Sequence, residues 1–86
     1  MRDIEKTLKA LANRRRLAIL SYLKKNGDTS VGEIAREIRS SFKATSKHLG
    51  VLLGADIVEK DQKGFEVHYR LAASQKPAAS RIIGLL

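Results

Sequence analysis

The chain has 86 residues, with 17 Lys plus Arg against 9 Asp plus Glu, a formal net charge of +8 and no cysteine. That length admits one domain with a modest core, and the missing cysteine excludes a disulfide, a thiolate metal site and a thiol nucleophile. The positive balance favours a polyanionic partner over a membrane; no run approaches the ~18 apolar residues of a membrane helix, and arginines stand where a signal peptide needs an apolar block, so the chain reads as soluble and cytoplasmic.

The first predicted helix covers Asp3 to Leu11, with Ile4, Leu8 and Leu11 on one stripe and the acids Asp3 and Glu5 suiting its N-terminal end. Asn13 has N-cap chemistry. The following RRRLAILSYLKK offers Leu17, Ile19, Leu20 and Leu23 as the apolar positions of a second helix, closed by Lys24-Lys25 and Asn26-Gly27. The triplet Arg14, Arg15 and Arg16 sits at a helix start, where the dipole disfavours positive charge. Two readings stay open: the arginines are solvated or paired with Glu5, or one or two of them reach a DNA phosphate.

Asp28 and Thr29 form an approach segment with room for a strand residue or two. Ser30 and Glu33 have the S-x-x-E spacing of a capping box, so a third helix starts at Val31, with Ile34, Ala35 and Ile38 at helical spacing. Arg39-Ser40-Ser41 breaks the apolar run, and either serine can cap a fourth helix starting near Phe42. At about 100° per residue, Phe42, Thr45, Leu49, Leu52 and Leu53 fall on one side of it, and Lys43, Ala44, Lys47, Gly50 and Val51 on the other. Outward lysines and small residues on a short helix, held by a preceding helix across a tight turn, describe a helix-turn-helix reader of the major groove. The same pattern also fits a packing unit with a solvated face.

After Gly54 the apolar period changes to two. Ile57 to Lys60 and Phe65 to Leu71 read as strands, with Phe65, Val67, Tyr69 and Leu71 alternating against Glu66, His68 and Arg70, and Asp61-Gln62-Lys63-Gly64 as the hairpin turn. A hairpin in this place is a wing, whose Lys60, Lys63 and Arg70 suit backbone or minor-groove contact; it also covers one end of a three-helix core. Pro77 fits the first turn of a last helix, in which Ala78, Ile82, Leu85 and Leu86 form an apolar stripe. That stripe is more apolar than a small monomer needs at its surface. The helices at 3–11 and 77–86 are therefore the expected dimerisation elements, with Ile4, Leu8, Leu11, Ile82, Leu85 and Leu86 in the seam. The expected fold over residues 1–86 is a single winged helix-turn-helix domain, mostly α with a small β wing.

With these elements placed, the chain resembles winged helix-turn-helix regulators of the ArsR type from about Leu8 to Leu71. LKALANRRRLAIL, Leu8 to Leu20, is similar to the family opening L-x-x-L-A-(D/N)-x-x-R-x-x-I-L, and SVGEIAREI, Ser30 to Ile38, to the segment that follows. SFKATSKHL, Ser41 to Leu49, resembles the recognition-helix signature S-x-x-x-V-S-(R/K)-H-L, with Thr45 in place of the usual Val; Val67, Tyr69 and Leu71 match the wing ending V-x-Y-x-L. The resemblance implies that Ser41, Lys43, Ala44, Ser46, Lys47 and His48 face the groove. For His48 two roles stay open, a DNA or cap contact and a structural hydrogen bond. Ser40 stands where relatives usually place Leu, and Phe42 where they usually place a polar base-contacting residue. We expect Phe42 to turn inward and fill the volume that Ser40 leaves. Gly50 replaces a usual Lys or Arg, which costs about 1 kcal/mol of helix propensity against Ala and removes a phosphate contact.

ArsR-type regulators are best known as metal-released repressors. A thiolate site would need cysteines at 31–38 and the terminal-helix site Asp and His at 74–86, and the chain has neither; His48 and His68 are its only histidines. No metal site or cofactor is expected. There is no H-E-x-x-H, no Gly-rich phosphate loop and no supported Ser-His-acid set, since Ser46 and His48 do not face each other on one helix; no catalytic residue is expected. The leading function is a sequence-specific, double-stranded DNA-binding homodimer that represses transcription, with any small-molecule or protein effector left unspecified. The alternatives are a winged-helix adaptor for protein or RNA, and nonspecific chromatin-like coating, which small Ala44 and Gly50 would suit. Clustering of Lys43, Lys47, Lys60, Lys63 and Arg70 on one face separates DNA binding from the adaptor reading.

Overall fold

Three of the helices start where a polar side chain can satisfy their free N–H groups. Asn13 Oδ1 accepts from the N–H groups of Arg15 and Arg16 at 3.0 and 3.1 Å, Ser30 Oγ from Glu33 at 3.2 Å, and Ser41 Oγ from Ala44 at 3.0 Å. The computed structural model describes residues 2–86 and places these caps before α2 (Arg14–Asn26), α3 (Val31–Ile38) and α4 (Phe42–Gly54). Ahead of them lies α1 (Arg2–Leu11), and α5 (Pro77–Gly84) closes the order, started by proline without a side-chain cap. Of the two candidate serines, Ser41 is the cap. Glu33 is drawn away from its own helix end: its carboxylate accepts the Tyr22 hydroxyl at 2.7 Å and ties α2 to α3. That bond first, then burial and the charges of Glu33 and Glu37, push the Tyr22 pKa up to about 12.

The turn of the helix-turn-helix is made by a left-handed residue. Arg39 ends α3 at φ 55°, and the N–H of Ser40 reaches back to the Ala35 carbonyl at 3.0 Å. Three strands, β1 (Thr29–Ser30), β2 (Val58–Lys63) and β3 (Glu66–Leu71), form an antiparallel sheet in the order β1-β3-β2. Thr29 stands opposite Tyr69, and the β2–β3 ladder runs from Val58 opposite Leu71 to Lys63 opposite Glu66. The core gathers Ile19, Leu20 and Leu23 of α2, Ile34, Leu49 and Leu52 of α3 and α4, and Ile57, Val58 and Tyr69 at the sheet. Leu17, expected with the α2 residues, is half-buried.

The hairpin differs from expectation. The strands continue to Lys63 and Glu66, so the loop is Gly64-Phe65, with Gly64 at φ 64° as a two-residue turn with leading glycine requires. Asp61, Gln62 and Lys63 have turn-like composition, yet on an exposed two-stranded ribbon polar residues are also good strand residues. Phe65 consequently stands at the wing tip in full solvent and does not begin the inward stripe.

Phe42 corrects a second expectation. It is 62% exposed, whereas Thr45, one turn later on the same side, is fully buried. Helical angle selects a buried face only where another element covers it. The first turn of α4 overhangs, and an open cleft of about 170 Å³ bordered by Val31, Phe65 and Val67 lies beside the ring. Phe42 therefore does not turn inward beside Ser40.

The terminal helices pack on their own subunit. Thr7, Ala10 and Leu11 of α1 and Ala79 and Ile83 of α5 are buried, and Lys24 Nζ donates to the carbonyls of Ile83 and Leu86 at 3.1 and 2.9 Å. Leu11 is thus a core residue of the monomer rather than part of an exposed seam. The inward face of α5 is Ala79 and Ile83; Ile82 and Leu86 are partly covered, and Leu85 is 83% exposed. Ile82, Leu85 and Leu86, the C-terminal residues expected in the seam, are thus the ones that the subunit's own core leaves partly or largely uncovered.

Candidate nucleic-acid interface

Thr45, Leu49 and Leu52 anchor α4 with no exposed area, which turns Lys43 and Lys47 to solvent on the opposite side, beside exposed Gly50 and Val51. Ala44 and Ser46 border that face and are half-buried. Ser41 sits at its N-terminal edge; its Oγ accepts from Ala44, which leaves the hydroxyl proton available to a phosphate. Among the described residues, all ion pairs involve Asp28, Glu59, Asp61 or Glu66 on the sheet side, so neither Lys43 nor Lys47 is paired with a carboxylate.

His48 points along the inner border of α4. Its Nδ1 lies 3.3 Å from Nη1 of Arg16; because a guanidinium only donates, Nδ1 accepts and the ring is the neutral tautomer with hydrogen on Nε2. Burial, then the charges of Arg16, Arg15 and Lys47, hold its pKa below the usual 6.5. Arg16 also donates through Nε to the Ala10 carbonyl and through Nη2 to that of Lys9 at 3.0 Å. It therefore satisfies the last carbonyls of α1 while orienting α4. One of the three arginines at the start of α2 is structural, and Arg14 and Arg15 are exposed.

The wing uses charge differently. Asp28, in the approach to β1, accepts from Lys63 Nζ at 3.2 Å, pairs with His68 Nδ1 at 2.8 Å and accepts from Arg70 Nη1 at 3.4 Å. Arg70 also meets Glu59 at 3.2 Å and Asp61 at 3.8 Å, and His68 Nε2 stands 3.5 Å from Glu66. Burial pushes the Asp28 carboxyl up, but the bonds from Lys63, His68 and Arg70 outweigh it and hold the group below its usual 3.8. Lys60 lies on the other face of the ribbon, opposite Tyr69. Lys43, Lys47, Lys60, Lys63 and Arg70, whose clustering would separate DNA binding from the adaptor reading, are thus divided: the α4 lysines are unpaired, while Lys63 and Arg70 brace the sheet.

The α1–α5 side is the other exposed apolar region. Ile4 and Leu8 are 53% and 48% exposed and, with Leu85, form its outward residues. A cleft of about 340 Å³ lined by Ile4, Thr7, Pro77 and Ala78 runs between the two helices. Among the described residues no three His, Asp or Glu side chains are grouped to hold a metal ion. Sequence reasoning missed Asp28 and the structural use of Arg16, which share a signal: a polar group whose partners lie far away in the chain.

Residues 13–60 match the model of bacterial regulatory proteins of the arsR family. The arsenical resistance operon repressor of Bacillus subtilis is 34% identical over 71 residues, 83% of this chain and 68% of that one. The transcriptional activator HlyU of Vibrio cholerae is 36% identical over 76 residues, 88% of this chain and 69% of that one. Reduced HlyU from the same organism superposes with a TM-score of 0.82 at 34% identity, over 98% of this chain and 84% of that one. The homodimeric winged helix-turn-helix DNA-binding domain Mb0332 of Mycobacterium bovis gives 0.82 at 31% identity, over 96% and 73%. These relatives are transcriptional regulators rather than enzymes, and no helix among the described residues is long and apolar enough to cross a membrane. Family model, relatives and fold agree: the chain belongs to the ArsR family of winged helix-turn-helix, DNA-binding transcriptional regulators.

Proposed function

We propose that the chain is a sequence-specific homodimeric repressor that reads double-stranded DNA with α4 and does so independently of metal ions. The observation that carries the reading is the outer face of α4, where Lys43 and Lys47 stand exposed and unpaired on a helix fixed by three fully buried inward residues. Ser41, Lys43, Ala44, Ser46 and Lys47 face the major groove, His48 holds the helix through Arg16, and Lys60 contacts flanking backbone. Lys63 and Arg70 are assigned to bracing the wing. Repression is supported by the names of two relatives, the arsenical resistance operon repressor and the SdpR repressor of Bacillus subtilis. Metal independence is supported by the absence of cysteine and by the separate engagement of His48 with Arg16 and His68 with Asp28.

A second copy is part of this proposal. Successive major grooves on one face of DNA lie about 34 Å apart, and one chain supplies a single reading helix. Ile4, Leu8 and Leu85 are the exposed apolar residues placed to join two copies through α1 and α5, with Ile82 at the margin. Full burial of such a side chain stabilises by roughly 1.5 to 3 kcal/mol, so half-exposed residues contribute proportionally less and several must act together. Selection of bound duplexes from genomic fragments, followed by footprinting, tests the reading. A protected palindrome is expected; equal affinity for scrambled DNA would refute sequence-specific recognition. Leu8→Asp with Leu85→Asp should leave a monomer in sedimentation equilibrium that binds DNA weakly and without preference for a palindrome.

A further inference from the structure

We infer that Phe42 reads the 5-methyl group of a thymine in the major groove, which makes it a specificity-determining residue at the N-terminal end of α4 rather than on its lysine face. The inference rests on the DNA-binding reading above and adds the chemistry of one base contact. Phe42 is the first residue of α4, directly after the cap Ser41, and the N-terminal residues of a recognition helix are the ones that meet base edges. Phe42 is 62% exposed although Thr45, Leu49 and Leu52 on the same helix side have no exposure. It does not serve the core, and the cleft beside it is open rather than filled by a neighbour. Glu66, a carboxylate that also lines that cleft, lies 3.5 Å from His68 Nε2.

A phenyl ring has no hydrogen bond to offer a base edge. In the major groove the apolar feature of a base pair is the thymine methyl, and phenylalanine is among the side chains that contact it. Ser41 and Lys43 on either side of Phe42 can hold the backbone while the ring loses water against the methyl. The position therefore distinguishes thymine from cytosine by apolar contact.

Uracil removes that methyl and leaves base pairing unchanged, which gives a test on the unmodified protein. Duplexes enriched by the protein from a random pool are remade with each thymine replaced singly by deoxyuridine, and Kd is measured for the wild type and Phe42→Ala. We expect one thymine per half-site at which uracil weakens wild-type binding about fourfold, the factor for burying one methyl-sized group. The same replacement should leave Phe42→Ala unaffected, with its thermal unfolding close to wild type. Uracil tolerated at every position by the wild type would overturn the inference, as would full uracil sensitivity retained in Phe42→Ala. A pool yielding no preferred sequence would refute the DNA-reading proposal itself, and this inference with it.

Discussion

The outer face of α4 and the outer face of the wing look alike as strings of basic residues and behave as opposites in the folded chain. Lys43 and Lys47 extend from α4 with no carboxylate partner, whereas Lys63, His68 and Arg70 converge on Asp28 and are joined by Glu59, Asp61 and Glu66. The formal charge of +8 therefore overstates what the wing can offer a phosphate and describes well what α4 can offer. Positive charge serves recognition only where the fold has not already spent it.

The contrast can be broken in several places. The largest expected effect is at Arg16, a basic residue wholly used by architecture. Arg16→Met removes its bonds to the Lys9 and Ala10 carbonyls and to His48, and should destabilise by about 2 to 3 kcal/mol in urea unfolding. Thr45 comes next, with the opposite sign. Its hydroxyl is buried without a hydrogen-bond partner, so Thr45→Val should stabilise by about 1 kcal/mol and leave the lysine face of α4 in place.

Asp28→Asn tests the wing directly. Releasing Lys63 should lower stability while steepening the salt dependence of DNA binding, because one cation becomes available to phosphates while Arg70 keeps Glu59 and Asp61. The folded-state pKa of Asp28 is depressed, so its stabilising contribution is present above the unfolded value near 3.8 and is lost as pH falls through the lower folded value. Unfolding curves of the Asn variant should lack that acid-side loss.

The smallest expected effect is at His48. Its pKa is also depressed, so the unfolded chain binds the proton more readily. The contribution is complete above about 6.5 and declines as pH falls through the folded value, when the ring can no longer accept from Arg16. His48→Asn keeps an acceptor that does not titrate, and stability measured between pH 7 and 5 should vary less in the variant.

What was legible in the sequence was local. Asn13, Ser30 and Ser41 announce helix starts by their own chemistry, and the Leu49–Leu52 face of α4 follows from its period. Order and spacing of the ArsR-like segments carried the fold and the candidate reading face. What failed depended on neighbours from elsewhere in the chain. Phe42 has the right angle to be buried and no element to bury it; Asp28 finds its partners 35 to 42 residues away. Ile82 and Ile83 could each have faced inward, and packing of α5 against α1 and α2 selects Ile83. The hairpin loop was misplaced because an exposed ribbon lacks the apolar alternation that marks strand ends.

The dependence of DNA affinity on salt is the most direct measure of whether available charge lies on α4 rather than in the wing. Each phosphate neutralised contributes about 0.9 to the slope of log affinity against log salt, and every residue acts twice in a dimer. Lys43→Ala with Lys47→Ala should flatten the slope by about 3 to 4 on the selected operator, and Arg70→Ala should leave it within about 1 of wild type. An unchanged slope in the α4 pair, or an equal flattening from Arg70→Ala, would contradict the assignment of the reading face.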